Sequence, residues 1–140
     1  MSEGHIVLGR SHARIGEVDY AVDLHADQHR LVADEAAGHG GADAGPSPVA
    51  LLLSGLAACT AITLRMYAKR KGWKLTKVEV DAQLYRNGAE SHIDRRISLH
   101  GELDPSQTAR LLDISERTPV TLMVKGGVAV RTTVHDAGAD

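Results

Sequence analysis

The sequence predicts an α+β protein, on three observations: a long apolar stretch free of charge, alternating segments on either side of it, and a second capped helix further on. The central helix is expected over Pro48–Lys71, PVALLLSGLAACTAITLRMYAKRK. From Val49 to Leu64 its apolar residues point in several directions around a period of about 3.6 residues, and a helix apolar on all sides is a buried one. Ser47 suits the N-cap and Pro48 the first helical position, and Gly72 can close the far end after a basic last turn of Lys69, Arg70 and Lys71. At ~1.5 Å per residue the helix would run about 36 Å, longer than a small domain is thick. More than one short sheet must cover it, and a partner subunit is a reasonable source of that cover.

The remaining elements follow from alternation and punctuation. Residues His5 to Ala33 read as a three-stranded antiparallel meander: Ile6-Val7-Leu8 and on to Ile15, a turn at Gly16-Glu17, Val18 to Leu24, then Arg30-Leu31-Val32. The loop GHGGADAGPSP is too rich in glycine and proline for regular structure, so it is either disordered or a tight path to the helix N-cap. After Gly72, Trp73 to Arg86 reads as a strand with Val78, Val80, Ala82 and Leu84 on one face. Asn87-Gly88 turns it, and Ile93 to Gly101 returns with Ile97 and Leu99 inward. Asp104-Pro105-Ser106-Gln107 starts a second helix, with Asp at the N-cap, Pro at N1 and Gln at N3, and the helix runs on through Leu111, Leu112 and Ile114. Thr118-Pro119 interrupts it, Val120 to Met123 forms a short connection, and Val128 to Val134 is expected as a last strand. The count is six strands and two substantial helices.

At 140 residues the chain is most simply one domain, 1–140. There is no Phe, and Trp73, Tyr20, Tyr67 and Tyr85 are the only aromatics, so the core is aliphatic and base stacking has little to work with. A net charge of −2 with scattered Lys and Arg lacks the footprint of a nucleic-acid binder. The N-terminal residues have no apolar leader, and the apolar part of the central helix is short, rich in Ala, Gly, Ser and Thr, and firmly capped; no membrane span and a cytoplasmic location are expected. One cysteine excludes an internal disulfide, leaving only a bond to another chain or a small thiol.

Cys59 is the first candidate for chemistry. A lone cysteine on an apolar helix is more often inert packing than a nucleophile. It lies eleven residues beyond Pro48, out of range of the helix N-terminal field, so a reactive thiol here needs a cation from another part of the fold. Arg65, six residues along, is on a different side of the helix. Among the eight histidines, His25 and His29 have i,i+4 spacing but fall where strands are expected, and no HExxH pattern exists, so neither metal nor cofactor is expected. The glycine-rich loop lacks the lysine and hydroxyl that end a phosphate-binding loop. Asp34, Glu35 and Asp43 are expected to face solvent.

The segment GGADAGPSPVALLLSGLAACTAITLRMYAKRKGW, a strand hairpin, GELDPSQTARLLDISERTPV and a final GGVAVRTTV together resemble the OsmC/Ohr family of osmotically inducible and organic-hydroperoxide-resistance proteins, from about Gly40 onward. The resemblance implies an OsmC-like fold: an intertwined homodimer in which antiparallel sheets from both chains wrap long central helices. It also implies a thiol-dependent peroxidase. In such members the cysteine at the position of Cys59 attacks the peroxide, a second cysteine just before Pro-Val resolves the sulfenic acid, and an arginine held by a glutamate favours the thiolate. Here Cys59 keeps the peroxidatic position and Arg14 in HARIG matches the arginine, but the resolving position holds Thr118 and the glutamate position Val49. Thr118 cannot form a disulfide, so turnover would need an external thiol reductant. Two readings stand at this stage. One is a one-cysteine site acting on an organic hydroperoxide through Cys59, Arg14 and Thr118; the other is a non-catalytic homodimer that binds a small apolar ligand at its interface.

Overall fold

The computed structural model describes residues 4–135, and the chain divides into two compact units between Ser54 and Gly55, inside the long helix. In the first unit three short strands, β1 (Ser11–Arg14), β2 (Val22–Ala26) and β3 (His29–Ala33), form an antiparallel sheet in that order. The meander is therefore present but shorter than its alternation suggests. Ile6, Val7 and Leu8 lie outside the first strand and are 80–83% exposed. The second strand begins at Val22 rather than Val18. Alternation marks which face of a strand is apolar but does not provide the neighbour whose backbone must pair with it.

The loop after β3 is ordered around one carboxylate. Asp34, expected at the surface, is buried at 2% exposure. Its Oδ1 accepts from the Glu35 N–H at 2.7 Å, and its Oδ2 from the N–H groups of Ala42 at 3.2 Å and Ala44 at 3.1 Å. These bonds, led by Ala44, hold its pKa below the usual carboxylate value. Two glycines permit the tight path. A Cβ at Gly41 would fall on the Glu35 carbonyl oxygen, and one at Gly45 on the carbonyl oxygen of Val32. The loop is thus the tight route to the helix rather than the disordered one, with a single 3-10 turn at Ala37–His39.

Helix α1 spans Pro48–Lys71, as the sequence predicts. Ser47 Oγ accepts from the Ala50 N–H at 3.1 Å, and Trp73 N–H returns to the Ala68 carbonyl at 2.9 Å. Only one stripe of it is buried within the chain: Leu56, Thr60, Leu64 and Ala68, each four residues from the last. Leu52, Ile62 and Met66 are more than half exposed. A single chain therefore covers one face of a helix whose composition is apolar on several.

In the second unit β4 (Lys74–Asn87) and β5 (Glu90–Glu102) form a long antiparallel hairpin that turns at Gly88-Ala89, one residue beyond the expected Asn87-Gly88, with Val78 opposite Leu99 and Val80 opposite Ile97. Leu64, Ala68, Leu75 and Leu111 form the packed core, with Tyr67, Trp73, Val78, Ile97, Leu99 and Ile114 against it. Arg65 Nη1 donates to the Leu75 carbonyl, which ties α1 to the start of β4. Helix α2 (Pro105–Ser115) carries the expected capping box, Asp104 and Gln107 each accepting from the other's backbone N–H. Arg110 of α2 donates to the Tyr67 hydroxyl at 3.0 Å.

Two C-terminal expectations are overturned. Pro119–Gly126 is a third helix, α3, because Thr118 caps it and Pro119 occupies its first position; the pair begins a helix instead of merely ending one. Residues 127–135 form no strand, and Val128, Val130 and Val134 are 66–93% exposed. Among the described residues the count is five strands and three helices.

Candidate functional site

Cys59 lies in the middle of α1 and is half-buried. Its Sγ is 3.9 Å from Thr63 Oγ1, one turn along, a weak sulfur contact that leaves the thiol without a strong partner on its own helix. The next residue, Thr60, points into the protein: it is fully buried, and its Oγ1 donates to the Leu56 carbonyl at 2.7 Å. Thr60 is also where another element reaches α1. Arg95 of β5 donates from Nη1 to Thr60 Oγ1 at 3.0 Å and to Thr121 Oγ1 at 2.8 Å, and from Nη2 to the Ser115 carbonyl at 2.9 Å. Glu116 completes the set, 3.3 Å from Nη2 and paired through its other oxygen with Lys125 at 2.6 Å.

Thr118, the residue expected at the resolving position, is fully buried in this corner. Its Oγ1 accepts from the Thr121 N–H at 3.3 Å and lies 2.7 Å from Thr121 Oγ1. A chain of hydrogen bonds thus runs from Thr118 through Thr121 and Arg95 to Thr60, the neighbour of Cys59. No buried side-chain polar atom among the described residues is left without a partner. Arg14, the third expected site residue, ends β1 in the first unit, exposed and in register with Asp23. Val49, in the first turn of α1, is 48% exposed.

Arg95 is the residue that sequence reasoning missed. The signal was in the register: it shares its side of β5 with Ile93, Ile97 and Leu99, the half-buried face, opposite the small Ala82. A charged side chain at an inward position of an alternating strand needs partners, and those that Arg95 finds lie 20 to 35 residues away. A groove of ≈ 490 Å³ lies between α1 and β4, lined by Ala61, Ile62, Arg65, Met66, Thr76, Lys77 and Val78; Cys59 is not part of its lining.

These features define a class: an α+β protein whose long central helix carries a half-buried thiol, next to a buried threonine that an inward arginine holds. The chain belongs to the OsmC-like protein family, whose pattern matches residues 38–133. No curated protein matches it by sequence. Its fold is similar to the crystal structure of an OsmC-like protein from Mycoplasma pneumoniae, at 23% identity and a TM-score of 0.73 over 85% of this chain and 88% of that one. It is also similar to an organic hydroperoxide resistance protein OsmC from Legionella pneumophila, at 19% identity and a TM-score of 0.58 over 87% and 92% of the two chains. A third likeness is to an organic hydroperoxide resistance protein from Elizabethkingia anophelis, at 18% identity and a TM-score of 0.63 over 89% and 92%. By length and composition α1 could cross a bilayer, but in this fold it is the central core helix, and the structure is compatible with a soluble protein.

Proposed function

We propose that this protein is a one-cysteine, thiol-dependent reductase of organic hydroperoxides that works as a cytoplasmic homodimer. The observation that carries the reading is Cys59 itself, half-buried and lightly bonded in the middle of α1, in a family whose structural neighbours include organic hydroperoxide resistance proteins. The Cys59 thiolate attacks the terminal oxygen of ROOH; the O–O bond breaks, the sulfur becomes a sulfenic acid, and the alkoxide leaves as ROH after taking a proton. With Thr118 at the resolving position, a small thiol R′SH condenses with the sulfenic acid and releases water. A second R′SH then frees Cys59 as R′SSR′ departs. Arg14 favours the thiolate and Thr118 offers a polar neighbour.

Exposure to an organic hydroperoxide followed by mass spectrometry should find Cys59 as sulfenic acid, or as a mixed disulfide when thiol is present. Cys59→Ser should abolish hydroperoxide consumption, and Arg14→Ala should slow it about tenfold, the effect of one unit of lost thiolate stabilisation. A Cys59 that stays reduced under excess hydroperoxide rules the reading out.

The apolar groove along the helix supports a second reading, a non-catalytic homodimer that takes a small apolar ligand, with Ala61, Ile62, Met66 and Val78 as the apolar lining. That reading stands alone if Cys59 ignores hydroperoxide and titrates at the ordinary thiol value of about 8.5.

A further inference from the structure

The reading above leaves Arg95 unused. Its side chain is 11% exposed, in a corner where Thr60, Ser115, Thr118 and Thr121 are buried. Taking a guanidinium out of water is costly, and a well-packed apolar side chain often holds such a corner as well, so stability alone does not account for a charge here. Nor is that charge cancelled. The charged group that meets Arg95 is Glu116, after α2, which Lys125 of α3 also pairs, and the Lys125 ammonium is the first cause holding the Glu116 carboxyl below its usual value. Two cations and one ionised carboxylate leave an excess of one positive charge. On α1 itself Arg65 is engaged with the Leu75 carbonyl. The contact that Arg95 makes with α1 is Thr60, adjacent to Cys59 in the chain.

We propose that Arg95 is a positioning residue of the Cys59 site: it anchors the turn of α1 that carries the thiol to the Thr118 corner, and it brings the excess positive charge that favours the thiolate. The proposal rests on Cys59 acting as a nucleophile, but it requires no particular substrate. A purely structural Arg95 needs the planar fork, which lysine lacks; an electrostatic one needs the charge, which lysine keeps.

The test follows alkylation of Cys59 by iodoacetamide from pH 6 to 9, with no hydroperoxide present, in the full chain and in Arg95→Met, Arg95→Lys and Thr60→Val. Arg95→Met should alkylate about tenfold more slowly at pH 7 and reach the parent's plateau at high pH, one unit of thiol ionisation being a factor of ten in thiolate. Arg95→Lys should melt earlier than the parent yet stay within about threefold of its rate at pH 7. A parent-like profile in Arg95→Met, or equal losses in the Lys and Met variants, overturns the proposal. Should Arg95→Met fail to fold, Thr60→Val decides: removing the bond that reaches α1 must slow alkylation at neutral pH, and an unchanged rate overturns the proposal as well. Failure of sulfenic acid to form would remove the peroxidase reading and leave these rates to be judged on their own.

Discussion

The carboxylate of Asp34 accepts from the backbones of Glu35, Ala42 and Ala44, doing in a loop what a ladder of backbone bonds does in a sheet. Because those donors favour its charged form, the folded pKa is depressed below the unfolded value of about 3.9. The sign follows: the contribution is fully present above that unfolded value and is lost as the pH falls through the folded one. Asp34→Asn replaces one acceptor with an amide that points its own hydrogens at N–H groups. It should lower the melting temperature at pH 7, and the gap to the parent should narrow below pH 4, where Asp34 is itself being protonated. Thermal melts from pH 2.5 to 7 check this, and a gap that stays constant across the range would show that Asp34 does not act through its charge.

Within α1 the buried stripe separates core from cover. Leu64 is fully buried against Leu75 and Leu111, whereas Ile62, two residues earlier, is 55% exposed. Leu64→Ala should cost about 2–5 kcal/mol by urea unfolding, a large part of the ~5–15 kcal/mol that holds a typical domain together. The same stripe shows what a sequence reveals. Ser47-Pro48, the hairpin turn to within one residue, and the Asp104–Gln107 box were legible because each signal acts within about four residues of itself. Asp34 and Arg95 were not, since their partners lie up to 10 and 35 residues away and no periodicity announces them. The segments Ile6–Leu8 and Val128–Val134 were read as strands from their alternation, and the single chain gives them nothing to pair with. Cys59 was legible as a candidate and Thr118 as its odd companion, but the arginine that links their neighbourhoods required the register of β5.

At the scale of the whole molecule the apolar surface is out of proportion to the core. Among the described residues the buried hydrophobic ones are Ala33, Leu56, Leu64, Ala68, Leu75 and Leu111, while Ile6, Val7, Leu8, Leu52, Ile62, Met66, Val128, Val130 and Val134 are all more than half exposed. An exposed apolar surface of that extent marks an association face. A second copy is the partner that the proposed function requires, and association of that kind makes stability depend on concentration. The melting temperature should therefore rise with protein concentration, and the mass in solution should be twice that of the chain. Met66→Asp places a charge on the exposed face of α1, where a lone chain would tolerate it, surface changes being usually within about 0.5 kcal/mol. In a dimer closed over that face it must instead weaken association and lower the melting temperature by several degrees at micromolar concentration. A monomeric mass, with melting independent of both concentration and Met66→Asp, would mean that α1 keeps its apolar face in water, and the homodimer would fall.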